Sequence, residues 1–253
     1  MGILFKAKTT EGFMFKILGE ILHNTLKTIS INIDSSGIFS KVIDSHKKLL
    51  IDIELLSTNF TTFIFNSNTN ILFGLNVSHF YKIICSLKKK DSITFVIDSN
   101  NINELQIIVT PREKDHIEVS TISIQNIQSI DIEVPLNYKH PVHVSSSKFQ
   151  KMCKDMLNIG KEVHIHGNQN YIIFECETPG IYKKQITFGE DTEEIVDDQD
   201  IVKYMFEAEQ LVKISKISSL FNILYVYLEK NMPLLIRTQI GNIGTISIFI
   251  KTN

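Results

Sequence analysis

Apolar residues in this chain fall mostly in short runs, many alternating with polar residues. A period of two puts the apolar side chains of a run on one face of a strand, so such runs read as half-buried β-structure. The first series comprises residues 29–34 (ISINID), 48–55 (KLLIDIEL), 60–65 (FTTFIF), 92–98 (SITFVID), 104–109 (ELQIIV) and 116–124 (HIEVSTISI). The second comprises 140–145 (HPVHVS), 162–167 (EVHIHG), 171–177 (YIIFECE), 181–188 (IYKKQITF), 222–229 (NILYVYLE), 233–238 (PLLIRT) and 245–250 (TISIFI). β-Branched residues are abundant in these runs, and polar or Gly-containing turns recur about every 8–12 residues, which predicts antiparallel sheet.

Four segments carry a helical period instead. Met14, Ile17, Leu18 and Ile21 fall at i, i+3, i+4, i+7, as do Phe80, Ile83, Ile84 and Leu87, and again Phe149, Met152, Cys153 and Met156. A weaker stripe surrounds Leu211 and Ile214. Each stripe suits packing on a sheet and leaves the opposite face to solvent.

The order of these elements repeats. Helix, strands, helix, strands runs over about 1–118 and again over about 136–253. Residues 79–97 echo 210–228 at an offset of 131, placing Lys82 over Lys213 and Ile93 over Leu224. An echo in register with the whole element order predicts duplicated domains, 1–118 and 136–253. Between them, 119–135 reads as an extended connector, without helical period and closed by Pro135.

Composition bounds the function. The 253 residues carry 21% charged side chains and a formal net charge of −2, an ordinary globular balance. No apolar run is long enough for a membrane helix, which needs about 18 residues or more. The start of the chain lacks a secretory pattern, and Lys6 occupies the position where a myristoylation signal needs Ser or Thr. Cys85, Cys153 and Cys176 are isolated and odd in number, which fits a reducing compartment. Charge is unevenly spread: residues 190–200 (EDTEEIVDDQD) hold seven carboxylates, and the remainder carries a net +5.

Lysines gather on the predicted helices. Lys148, Lys151 and Lys154 recur every three residues beside the third apolar stripe, and Lys16 and His23 are seven apart on the first. Lys82 sits on the second and is followed by Lys88–Lys90 at its end, and Lys213 and Lys216 sit on the fourth. One such face is an ordinary solvated helix surface. Four together, with the acids concentrated elsewhere, point to a shared polyanion bound through phosphates, without base reading.

Residues 37–49 (GIFSKVIDSHKKL), continuing through LIDIEL to Phe60, resemble the signature of the PCNA family. Residues 148–160 (KFQKMCKDMLNIG) are similar to that family's second-domain helix, and the segment from Asn231 to Ile250 resembles its last strands. The resemblance implies an α+β fold of two duplicated clamp domains, with antiparallel sheets outside and helices lining a central hole. It also implies a closed ring, normally a homotrimer, joined through edges near 115–124 and 180–188. Its DNA-facing positions fall on Lys16, His23, Lys82, Lys151, Lys154 and Lys216, with Lys213 a neighbour. A groove for short peptides of partner proteins falls on Ile43, Lys47, Leu50, Ile130, Ile132, Pro233, Phe249 and Ile250. The implied partners are double-stranded DNA, a polymerase, a clamp loader and other proteins with clamp-binding peptides. Implied localisation is the nucleus, or a viral replication compartment, with no membrane and no cofactor.

Three departures from the family pattern stand out. Lys47 occupies the place of the usual signature-loop histidine, with His46 before it, and only Lys251, Thr252 and Asn253 follow the last strand. Gln169 stands where many eukaryotic members carry a lysine used for ubiquitin-type modification. With abundant Ile, Lys and Asn and no Trp, these departures suggest a large DNA virus or an AT-rich protist.

Enzymatic readings find no motif. There is no P-loop, nucleophile elbow or HExxH. His164 and His166 share a strand face without a third ligand in sight, so neither catalysis nor a metal site is expected. The acidic run lacks the spaced loop and central glycine of a calcium site. Within the same fold, the alternative is a subunit of a checkpoint-type hetero-oligomer or a clamp-like transcription factor.

Overall fold

The computed structural model describes residues 2–113, 115–127, 132–168, 170–189 and 201–252. Ile130, Gln169 and the acidic run 190–200 therefore lie outside the described residues. The chain divides into two compact units. Unit 1 comprises Met1–Val42, Ile51–Ile132 and Gln239–Ile246; unit 2 comprises Ile43–Leu50, Glu133–Thr238 and Ser247–Asn253.

In the first part of the chain the elements are β1 (Ile3–Thr9), α1 (Gly12–Thr25), β2 (Thr28–Ile33), β3 (Gly37–Ile43), β4 (Leu49–Leu56), β5 (Thr62–Phe65), β6 (Ile71–Asn76), α2 (Val77–Ile84), β7 (Ser92–Asp98), β8 (Asn101–Thr110) and β9 (Glu118–Ser123). Strands β5, β1, β7, β8 and β9 form an antiparallel sheet in that order, and β4, β3, β2 and β6 lie side by side. Helices α1 and α2 touch closely: a Cβ on Gly19 would come within 2.5 Å of the Ile84 Cδ1 atom. At the start of α2, Asn76 accepts a hydrogen bond from the His79 amide at 3.0 Å, capping an otherwise unpaired donor.

The later elements are β10 (Val142–Ser145), α3 (Ser146–Leu157), β11 (Glu162–Gly167), β12 (Tyr171–Thr178), β13 (Tyr182–Gly189), β14 (Val202–Glu207), α4 (Ala208–Ile214), β15 (Ile223–Tyr227), β16 (Leu234–Ile240) and β17 (Gly244–Ile250). Their pairing repeats the first set. Just as β1 pairs with β7 around α1, β10 pairs with β15 around α3. The order β4, β3, β2, β6 recurs as β13, β12, β11, β14. Both α2 and α4, and then β7 and β15, start 131 residues apart. The sequence echo is therefore a structural register.

Burial follows the predicted stripes closely on α3, where Phe149, Met152, Cys153 and Met156 are at most 1% exposed. On α1 the buried set is Phe15, Ile17, Leu18, Ile21 and Leu22, so Phe15 takes the place expected for the half-buried Met14. Leu87 is buried but lies beyond the end of α2. Strands β1, β3, β6 and β14 lie outside the predicted runs. Strand β6 carries Gly74 in its interior, which weakens the strand signal. The site is crowded: the Gly74 amide and carbonyl pair with Gln125 at 2.7 and 2.9 Å, and a Cβ would come within 2.9 Å of the Ile127 Cγ2 atom. Among the described residues, no helix is long and apolar enough to cross a membrane.

Candidate nucleic-acid interface and partner recess

The helix stripes pull apolar side chains inward, so residues between them face solvent. On α3, Lys148, Lys151 and Lys154 are all exposed. The carboxylate of Asp155 on the same helix is drawn to Lys184 of β13 at 2.7 Å, and that hydrogen bond holds it below the usual aspartate range. On α4, Lys213 is exposed, while Lys216 is half-buried in the following turn Ser215–Ser219.

In unit 1, His23 is exposed and stacks on the Tyr81 ring at 5.0 Å, and Lys82 on α2 is exposed. Lys16 is half-buried, with its ammonium 5.9 Å from the Phe13 ring centre. Lys89 reaches the same ring at 6.0 Å, so the segment after α2 adds a second cation to Phe13. Spacing along one helix could not reveal that meeting. The helix faces are not uniformly basic, since Glu20 and Glu209 lie on α1 and α4.

The second site is a recess of about 550 Å³ formed entirely by segments of unit 2. Ile43, Leu49, Leu50, Pro135, Met232, Pro233, Tyr204 and Phe249 supply its largely apolar wall. Its mouth carries Lys47, Lys48, Lys251, Thr252, Glu133 and Asn231. Of the residues expected there, Ile43, Lys47, Leu50, Pro233 and Phe249 line it. Ile250 is fully buried, because alternation along β17 turns it into the core. Ile132 is half-buried and does not line the recess.

Local hydrogen bonding sets the shape of this recess. Asp44, 9% exposed, accepts from the amides of Lys48 and Leu49 at 2.7 Å each and from His46 at 3.3 Å. Those bonds hold Lys47 at φ 56°, a left-handed conformation that side chains other than glycine seldom adopt. Opposite, the Tyr204 hydroxyl donates to the Glu229 carbonyl at 2.9 Å and accepts from the Met232 amide at 3.3 Å. The Tyr138 hydroxyl donates to the Pro233 carbonyl at 2.7 Å, and burial pushes its pKa up. Tyr204 and Met232 carry no signal for this site in the sequence because no short motif joins them, and Lys251 stands out there only as part of the tail.

A model of the proliferating cell nuclear antigen N-terminal domain matches residues 4–134, and one of the C-terminal domain matches residues 131–253. The chain belongs to the PCNA family of DNA sliding clamps. A similar protein is the "Probable DNA polymerase sliding clamp 1" of Paramecium bursaria Chlorella virus 1, 23% identical over 98% of this chain and 96% of its own length. Another is "Proliferating cell nuclear antigen 2" of Plasmodium falciparum, 25% identical over 90% of this chain and 88% of its own. One comes from a virus and one from a protist, the two kinds of source suggested by composition.

Within this PCNA-family fold, the remaining candidates have structural explanations. His164 and His166 alternate with the buried Val163 and Ile165 on β11. Burial, then nearby lysines, lower the His166 pKa against a partial opposing pull from Glu175. Among the described residues, no cluster of three or more His, Cys, Asp or Glu is placed to hold a metal ion.

Proposed function

We propose that copies of this chain close into a homotrimeric ring around duplex DNA and tether a polymerase and other replication and repair proteins, without catalysis of its own. The carrying observation is the match of both clamp-domain models to one chain whose helices in each unit hold lysines toward solvent. Lys16, His23, Lys82, Lys151, Lys154, Lys213 and Lys216 contact phosphates in this reading. Such contacts give salt-dependent affinity without sequence preference, which lets a ring slide.

Edge exposure supports ring closure. Strand β9 ends its sheet with Val119 60% exposed, and Ile117 before it is 64% exposed. Strand β13 also ends its sheet, with Tyr182 52% and the preceding Ile181 83% exposed. Apolar edge strands invite pairing with another chain, and a closed ring satisfies them. Residues 1–118 and 136–253 serve as the two clamp domains, joined by 119–135, whose first residues complete strand β9 of the first sheet.

The recess receives apolar peptide segments of partner proteins through Ile43, Lys47, Leu50, Pro233 and Phe249, which line it. A polymerase and a clamp loader are the expected partners, in a nucleus or a viral replication compartment. Light scattering tests closure: a ring gives about 87 kDa, three times the 29.0 kDa chain. A monomer at micromolar concentration would count against it. Lys151→Glu with Lys154→Glu should keep that mass but lose polymerase stimulation on primed DNA, and undiminished stimulation would remove these lysines from the role.

A further inference from the structure

The recess is unevenly charged at its mouth. Among the described residues that line it, Lys47, Lys48 and Lys251 stand against the single carboxylate of Glu133. Lys48 is engaged with Glu207 at 2.8 Å. Lys47 and Lys251 are exposed, and neither is ion-paired among the described residues. Their backbones are held in place. Asp44 fixes the turn that carries Lys47, and the Lys251 amide donates to the Lys48 carbonyl at 2.9 Å, joining the tail to that turn.

We propose that this recess selects a peptide segment whose apolar centre is flanked by aspartate or glutamate residues. The inference rests on the recess being a partner site and adds the chemistry of the partner. The apolar wall supplies affinity for any suitable centre, while the exposed Lys47 and Lys251 ammonium groups attract carboxylates and repel basic flanks. Exposed pairs of this kind are individually weak and salt-screened, so selection should be moderate and strongest at low ionic strength.

The test uses the full chain and three fluorescein-labelled peptides that share a Leu- and Phe-containing centre and differ in their flanks: glutamate, serine or lysine. Anisotropy titrations should show the glutamate-flanked peptide binding about tenfold tighter than the lysine-flanked one at about 50 mM salt, with the gap shrinking as salt rises. In protein carrying Lys47→Glu and Lys251→Glu, the order should invert while the circular dichroism spectrum is unchanged. Equal binding of all three peptides would overturn the charge selection and leave the peptide site standing. No binding by any of them would remove the peptide site itself. A changed oligomeric mass in the double variant, with unchanged peptide affinity, would assign the recess to a second copy of the chain and overturn the proposal.

Discussion

The Lys48 ammonium lies 2.8 Å from the Glu207 carboxylate, joining the turn before β4 to the end of β14 across 159 positions of sequence. The hydrogen bond from Lys48 is the main reason that Glu207 is held below its ordinary value of 4.5. The pair therefore contributes its stabilisation above that value and loses it as pH falls through the lowered pKa. Carboxyl NMR titration should give Glu207 a midpoint below 4.5, and Lys48→Ala should move it back upward. Both side chains are substantially exposed, so the melting temperature at neutral pH should hardly change.

Asp44 should matter far more. Its buried carboxylate satisfies the amides of His46, Lys48 and Leu49, and alanine would strand them. Asp44→Ala should cost about 2–3 kcal/mol in urea unfolding. It should also speed hydrogen exchange at the Leu49 amide, because the recess turn loses its central acceptor.

Ser40 presents the opposite case. Its buried hydroxyl has no hydrogen-bond partner among the described residues, and Ser40 lines an apolar cavity of about 70 Å³ in unit 1. Ser40→Ala removes an unsatisfied polar group and should stabilise the protein by about 1 kcal/mol, read as a higher urea midpoint with an unchanged slope.

The three cysteines should react unequally. Cys85 is exposed, whereas Cys153 and Cys176 are buried. Burial pushes the Cys153 thiol up to about 12 and raises Cys176 as well. A thiol reagent at neutral pH should label the native protein rapidly at Cys85 and reach the other two only on unfolding. Peptide mass mapping would identify the sites.

Much of the fold was legible because periodicity is a local property. The stripe on α3 became buried as spaced, and the echo of 131 residues became a repeated pairing order. Strand β6 escaped because Gly74 gives no side-chain signal, and its role depends on Gln125, far along the chain. The helix lysines were visible as a pattern, but the approach of both Lys16 and Lys89 to the Phe13 ring needed the fold.

The recess divides the two sources of information most clearly. Sequence alone determined the family, the duplicated α+β layout and the cationic helix faces, since these follow from residue type at short, regular spacing. It also marked Ile43, Lys47, Leu50, Pro233 and Phe249. Only tertiary structure decided that Ile250 is core, that Tyr204 and Met232 complete the wall, and that Lys251 meets the Lys47–Lys48 turn. The physical reason is that burial and charge environment are set by long-range strand pairing and side-chain hydrogen bonds, which no local period encodes.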